Sequence, residues 1–231
     1  SIIFSFIESY LFIYWFSINP FFILEQKQYW RAITGQIIHT NAFHCFSNLL
    51  EFFMAAQIFE KHVGTIRFIF FINIIMITIT ILYVLIHYLM YLSIYDNHFG
   101  YLSVGFSGVV FSMYPIARSI IEKERRTSIR MNLASNGRSS PSPSPIIIFN
   151  RPYPQFISIP NIEWILLVVT SLIIPNASFL VHLLGIIVGH LYVFLFEKSY
   201  ILSINEGFAL IFITLFPIFV ILYFISYLIF Y

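Results

Sequence analysis

Seven apolar stretches divide the chain, at 1–18, 42–59, 68–93, 101–119, 162–174, 179–196 and 207–231. A helix needs about 20 largely apolar residues, roughly 17 to 25, to cross a hydrocarbon core. Most of the stretches reach that length, and 207–231 does so without a single charged residue. The fifth is shorter and is followed at once by Pro175-Asn176, so it predicts a tilted or incomplete span, or one that thins the bilayer locally. Only 10% of the residues are charged and the mean hydropathy is +0.87, whereas a soluble domain is about 25% charged. No water-facing surface can be made from that inventory, so the bilayer is the main solvent. The expected fold class is all-α: a polytopic membrane protein with a six-span core over 1–197 and 207–231 as an additional transmembrane helix. No charged stretch precedes the run at 1–18, which therefore does not read as a cleavable signal peptide. Beginning on Ser rather than Met, the chain reads as a fragment or a processed form.

Lysine and arginine set the expected orientation. With Lys27 and Arg31 on one side, the other ten of the twelve cations fall on the opposite face, which is then the cytosolic one. Between the fourth and fifth spans, within a cytosolic loop over about 120–160, lies EKERRTSIRMNLASNGRSSPSPSP, residues 122–145. Its charge, Ser and Pro content predicts a flexible solvated loop. Arg125-Arg126-Thr127-Ser128 within it also has the look of a phosphorylation site. A net charge of +2, without basic patches interleaved with aromatics, gives no sign of nucleic acid binding. A single cysteine, Cys45, excludes an internal disulfide framework, and no His, Asp, Glu or Cys set has metal-ligand spacing. Neither a metal nor another cofactor is expected, and the oligomeric state is left open.

Strongly polar groups inside a span are costly and mark a functional site by default. The second span opens HTNAFHCFSNLLEF, bringing His39, His44 and Asn48 close together, with His44 and Asn48 on one helix face. The fourth carries Ser107 in GFSG, and the sixth reads SFLVHLLGIIVGHLY, with His182 in its first turn. These three spans enter from the same, non-cytosolic side, so His44, Asn48, Ser107 and His182 can meet at one depth. Gly105, Gly108, Gly185 and Gly189 form small-residue faces that permit close helix approach, without which His182 could not reach Ser107. The chemistry such a set permits is nucleophilic hydrolysis, with Ser107 as nucleophile and His182 as its base. The Ser107 N–H, Asn48 and His44 supply oxyanion donors.

Each residue has a plainer account. A glycine-flanked serine is commonly a helix contact, His182 can be a satisfied buried histidine, and His44 with Asn48 can be an interhelical hydrogen-bonding pair. The combination, in this order and at this depth, favours chemistry. A soluble esterase elbow does not fit, because Val109 stands where G-x-S-x-G needs glycine and the one aspartate, Asp96, precedes the serine.

These residues resemble the rhomboid family of intramembrane serine proteases. The pattern H-x4-H-x3-N is met by His39, His44 and Asn48, G-x-S-G by Gly105 to Gly108, and H-x2-G-x3-G by His182, Gly185 and Gly189. Trp30-Arg31 matches the family's first-loop pair, and Phe111 is the aromatic four residues after the serine that stacks on the histidine in that family. The resemblance covers about residues 20–197. It implies a Ser107–His182 dyad, oxyanion stabilisation by His44 and Asn48, and substrates that are single-span membrane proteins cut in or near the bilayer. It also implies a lateral gate at the fifth span. Pro160-Asn161, Glu163 and Ser178-Phe179 look most like the endoplasmic-reticulum rhomboids linked to membrane-protein degradation. An endoplasmic-reticulum membrane is thus expected, with Golgi and plasma membrane as alternatives and the site opening to the lumenal or extracellular side. The cytosolic tail of that group has no counterpart in the apolar 207–231, so its partners are not carried over.

Three further residues invite readings. Glu51, near Asn48, suggests a polar network behind the site. Glu163 is expected at the membrane interface, and His190 in hydrogen-bonded packing. A rival function is a catalytically inactive relative that binds membrane clients; Phe106, where such proteins place proline, and the presence of both Ser107 and His182 favour activity. A transporter or channel would need paired charges along a span, and only Glu51 comes near that.

Overall fold

The computed structural model describes residues 10–94, 101–135, 147–148, 151–152, 155–173 and 178–197. The 207–231 segment, the start of the first span, Asp96 and Pro175-Asn176 lie outside the described residues. The architecture is helical, as expected. After a helical stretch at 10–16 come α1 (Pro20–Leu24), α2 (Arg31–Ile37), α3 (Ala42–Val63), α4 (Thr65–Ile94), α5 (Ser107–Ser135), α6 (Ile162–Ile173) and α7 (Phe179–Glu197). A two-residue antiparallel pair, Ile147–Ile148 with Arg151–Pro152, and a 3₁₀ turn at Gln155–Ser158 lie between α5 and α6.

α5 is the axis of the bundle: every residue from Ser107 to Ala117 is buried, packed chiefly against α7 and α3. Phe59, Ile75, Ile79, Met113, Ile116 and Ile121 form the middle of the core. The outer faces are apolar as well, with Phe43, Phe46, Leu49, Leu50 and Phe53 exposed along α3 and Ile165, Val168, Leu172 and Ile173 along α6. Contiguous exposed apolar faces of this kind suit lipid rather than water. Among the described residues, Thr65–Ser93 alone is long and apolar enough by itself to cross a membrane; Ile162–Ile173 and Phe179–Leu195 are shorter apolar helices.

Two boundaries differ from the sequence expectation. The fourth span begins at Ser107, and residues 101–105 are extended instead. Ile18 and Ser103 exchange both backbone hydrogen bonds, at 2.8 and 2.9 Å, and Gly105 N–H donates to the Gly35 carbonyl. Those bonds replace intrahelical ones, and the Gly105 φ of +113° is incompatible with a helix. At its other end α5 continues to Ser135, through the first half of the expected flexible loop. Glu122, Lys123, Arg125, Arg126 and Met131 are good helix formers, and Glu122 pairs with Arg126 one turn on at 3.2 Å.

The hairpin-like segment α1–α2 is anchored by buried polar groups. The Arg31 guanidinium donates to Gln28 Oε1 at 2.6 Å and to the Tyr14 and Ser17 carbonyls at 2.7 and 3.0 Å, and lies over the Phe22 ring. Gln36 Nε2 donates to the Met76 carbonyl at 2.6 Å and to Thr80 Oγ1 at 2.8 Å, and Thr80 in turn donates to the Ala32 carbonyl. A side chain that satisfies backbone and hydroxyl groups of a neighbouring apolar helix holds α2 against α4 directionally, which apolar contact alone cannot do.

Candidate active site

α3, α5 and α7 begin at the same end of the bundle, and their first turns converge there. Asn41 caps α3, its side chain accepting the His44 N–H at 2.8 Å, which starts the helix so that His44 falls in its first turn and Asn48 in its second. Ser107 is the first residue of α5 and His182 the fourth of α7.

The Ser107 hydroxyl lies 2.8 Å from His182 Nε2. Ser107 is 8% exposed, His182 4% and Asn48 6%, so the pair is nearly closed off from solvent. The approach depends on glycine. A Cβ on Gly185 would run into the Gly108 carbonyl oxygen, and one on Gly189 into the Ser112 carbonyl oxygen. The α5 and α7 backbones are therefore in direct contact along this seam, as small-residue packing allows. Phe111 then lies flat on the His182 ring, centroids 4.3 Å apart and planes within 14°. For Nε2 to accept the serine proton, the ring proton must sit on Nδ1; that atom has no partner among the described residues. Stacking, not an acid, orients this imidazole.

Gly105 brings the oxyanion-side candidates in. Its positive φ turns the chain from the extended segment into α5, and a Cβ there would lie 2.8 Å from His44 Cε1 and 3.7 Å from Asn48 Nδ2. Asn48 Nδ2 is buried and has no partner among the described residues, leaving a donor free beside the serine. The first N–H groups of α5 also lack intrahelical acceptors. His39 supports this corner. Its Nε2 accepts the Phe106 N–H at 3.4 Å and its ring meets that of His44 edge-on, 5.1 Å between centroids. Burial pulls the His39 pKa below 6.5, a hydrogen bond at Ile37 opposing the shift, and the neutral ring is the form that can accept an N–H. His44 is half-buried, its Nδ1 3.3 Å from Thr40 Oγ1.

The ten residues expected to form or support the dyad and its oxyanion side thus lie at this end of α3, α5 and α7 or along the α5–α7 seam below it. Glu163, in the first turn of α6, is fully buried within the bundle, with Oε2 3.2 Å from the Arg118 guanidinium and Oε1 3.2 Å from His190 Nε2. The reason is desolvation: a carboxylate turned into the bundle needs polar partners, and α5 gives it a guanidinium and α7 an imidazole. Arg118 was legible only as one of many cations on the far side. Tyr114, whose hydroxyl donates to Glu51 Oε2 at 2.8 Å, was not singled out at all, because an aromatic in an aromatic-rich span carries no signal of its own.

Among the described residues no group of three or more His, Cys, Asp or Glu could hold a metal ion. The arrangement presents a hydroxyl paired with an imidazole, free N–H donors beside it, and half-exposed His44 on the outer side.

The family model described as Rhomboid domain matches residues 26–199. Rhomboid-like protein 15 of Arabidopsis thaliana is 27% identical over 176 residues, covering 75% of this chain and 38% of the relative, so the chain spans well under half the length of that protein. No solved structure matches.

Proposed function

Because the chain belongs to the rhomboid family, and is on that ground a membrane protein, we propose that it is an intramembrane serine protease working through a Ser107–His182 dyad. The observation that carries this reading is the 2.8 Å contact between the Ser107 hydroxyl and His182 Nε2 within a buried, glycine-lined seam.

In this mechanism Ser107 Oγ attacks the scissile carbonyl carbon while its proton passes to His182 Nε2. The carbonyl oxygen becomes the oxyanion and is met by Asn48 Nδ2, by the N–H groups that open α5, and by His44. The carbon–nitrogen bond then breaks, and the leaving amine takes the proton from His182. A water entering past His44 gives a proton to His182 and adds to the acyl carbon; the carbon–serine oxygen bond breaks, the serine oxygen is reprotonated and the acid product leaves. Phe111 holds the imidazole plane through both halves. Substrates would be single-span membrane proteins, unwound locally so that a peptide bond reaches a site just inside the bilayer. We place the protein in the endoplasmic reticulum membrane, its site facing the lumen, in the turnover of membrane proteins.

The test is labelling of the detergent-solubilised chain by an alkyl fluorophosphonate, against Ser107→Ala and His182→Ala. Wild type is expected to label, and both variants to lose labelling. Label that persists in Ser107→Ala refutes the dyad. A folded wild type that never labels but still co-purifies with membrane clients would instead make the chain an inactive client-binding relative.

A further inference from the structure

Among the described residues no acid pairs with His182 Nδ1, so other contacts hold both halves of the site in register. Phe111 fixes the His182 ring, and Phe111 is met edge-on by Tyr114, centroids 6.1 Å apart and planes at 75°. Tyr114 is 1% exposed, and its hydroxyl donates to Glu51 Oε2 at 2.8 Å. Glu51 sits on α3 three residues beyond Asn48, on a neighbouring part of the same helix face. One hydrogen bond, two turns below Ser107, therefore joins the helix that bears His44 and Asn48 to the helix that bears Ser107 and Phe111.

α3 has particular need of such a tie. Its outer face, from Phe43 to Phe53, is exposed apolar surface on which none of the described residues packs. Phe52 and Phe59 pack inward against the Phe68 and Phe106 rings. Those contacts set the distance between helices but tolerate rotation. A hydrogen bond between a fixed phenol and a carboxyl does not.

We infer that Glu51 and Tyr114 are positioning residues. Their hydrogen bond fixes the rotation of α3, and with it the placement of Asn48 beside Ser107, and it braces Phe111 against the base. Neither residue touches the reacting atoms. The catalytic part of the inference rests on the serine protease reading; the helix-positioning part does not.

The experiment uses the full chain in micelles, with wild type, Tyr114→Phe, Glu51→Leu, the Tyr114→Phe/Glu51→Leu double variant and Glu51→Gln. The saturating rate and half-saturating concentration of alkyl fluorophosphonate labelling are measured alongside thermal midpoints. Tyr114→Phe keeps the ring against Phe111 and loses only the hydroxyl. It and Glu51→Leu are expected to slow the saturating rate about fivefold, as loss of one net hydrogen bond would, with the half-saturating concentration unchanged. The double variant should be no slower than either single one, because both remove the same bond, and Glu51→Gln, which still accepts, should recover most of the rate. A purely structural role would lower the thermal midpoint and the labelled fraction but leave the saturating rate of the folded fraction alone, and that result overturns the inference. If wild type itself does not label, the protease reading falls, and alkylation of Cys45 on α3 by N-ethylmaleimide decides the rest. Its rate should shift in Tyr114→Phe and Glu51→Leu and return in Glu51→Gln; an equal rate in all of them refutes the positioning role.

Discussion

Gly185→Ala is the most direct probe of how the fold makes the site, because it adds one methyl group to the α5–α7 seam. In wild type the position of the missing Cβ is 3.0 Å from the Gly108 carbonyl carbon, nearer still to its oxygen, and 3.1 Å from Phe111 Cβ; ordinary contact begins at 3.4 Å. Three obstacles, two of them backbone, leave no rotamer that relieves the clash. α7 must therefore move away from α5, by about 1 Å if it moves as a rigid helix. The same translation lengthens the Ser107–His182 contact of 2.8 Å to about 3.8 Å, beyond the reach of about 3.2 Å that proton transfer needs. A 1 Å misplacement of a reacting group costs about 10²-fold in rate. Overpacking itself costs about 1–3 kcal/mol of stability. The assay is the saturating rate of fluorophosphonate labelling, normalised to the folded fraction from a thermal scan. A folded Gly185→Ala protein that labels within about threefold of wild type would refute the claim that backbone contact along this seam sets the dyad distance.

Three other perturbations follow from the same geometry. Phe111→Leu removes the flat ring on His182 but keeps apolar volume; labelling should fall about tenfold, as expected for a loosened base, while Phe111→Tyr, read in the same assay, should retain most of it. Glu163→Leu strips Arg118 and His190 of their shared carboxylate, and the thermal midpoint should drop by an amount equivalent to about 2 kcal/mol; the loss should shrink in an Arg118→Met background, and an unchanged midpoint would deny the three-helix tie. His39 titrates below 6.5 in the folded chain because burial disfavours its charged form. The unfolded chain therefore binds the proton more readily, so this contribution to stability is complete above about pH 6.5 and is lost as pH falls through the interval below it. Thermal midpoints of Ser107→Ala protein across pH 5 to 8 should show that decline, and His39→Gln should make it shallower.

Much of the site was legible in the chain because its chemistry is expensive. A histidine, an asparagine or a serine in an apolar run stands out against residues that lipid tolerates, and His44 and Asn48 declare a shared face by their spacing alone. Glu51 and Glu163 stood out for the same reason, although their partners did not. Tyr114 and Arg118 are ordinary residues in their own stretches, and only the packing of three helices turns them into hydrogen-bond partners. Gln36 and Thr80 were likewise silent, since neither is charged and each finds its acceptor or donor on another helix more than forty residues away.

The sequence by itself determined the solvent and the helical class, because long apolar runs and the scarcity of charge leave helices in a bilayer as the way to satisfy the backbone. It also determined which side chains have a costly burial to justify. Only the tertiary structure decided that Gly185 and Gly189 face the α5 backbone, that Ser107 opens its helix rather than lying inside it, and that Glu163 is turned inward to Arg118 and His190. These outcomes depend on translations of an ångström and on rotations between helices. Residue order constrains neither, and close contact between backbones and directional hydrogen bonds settle both.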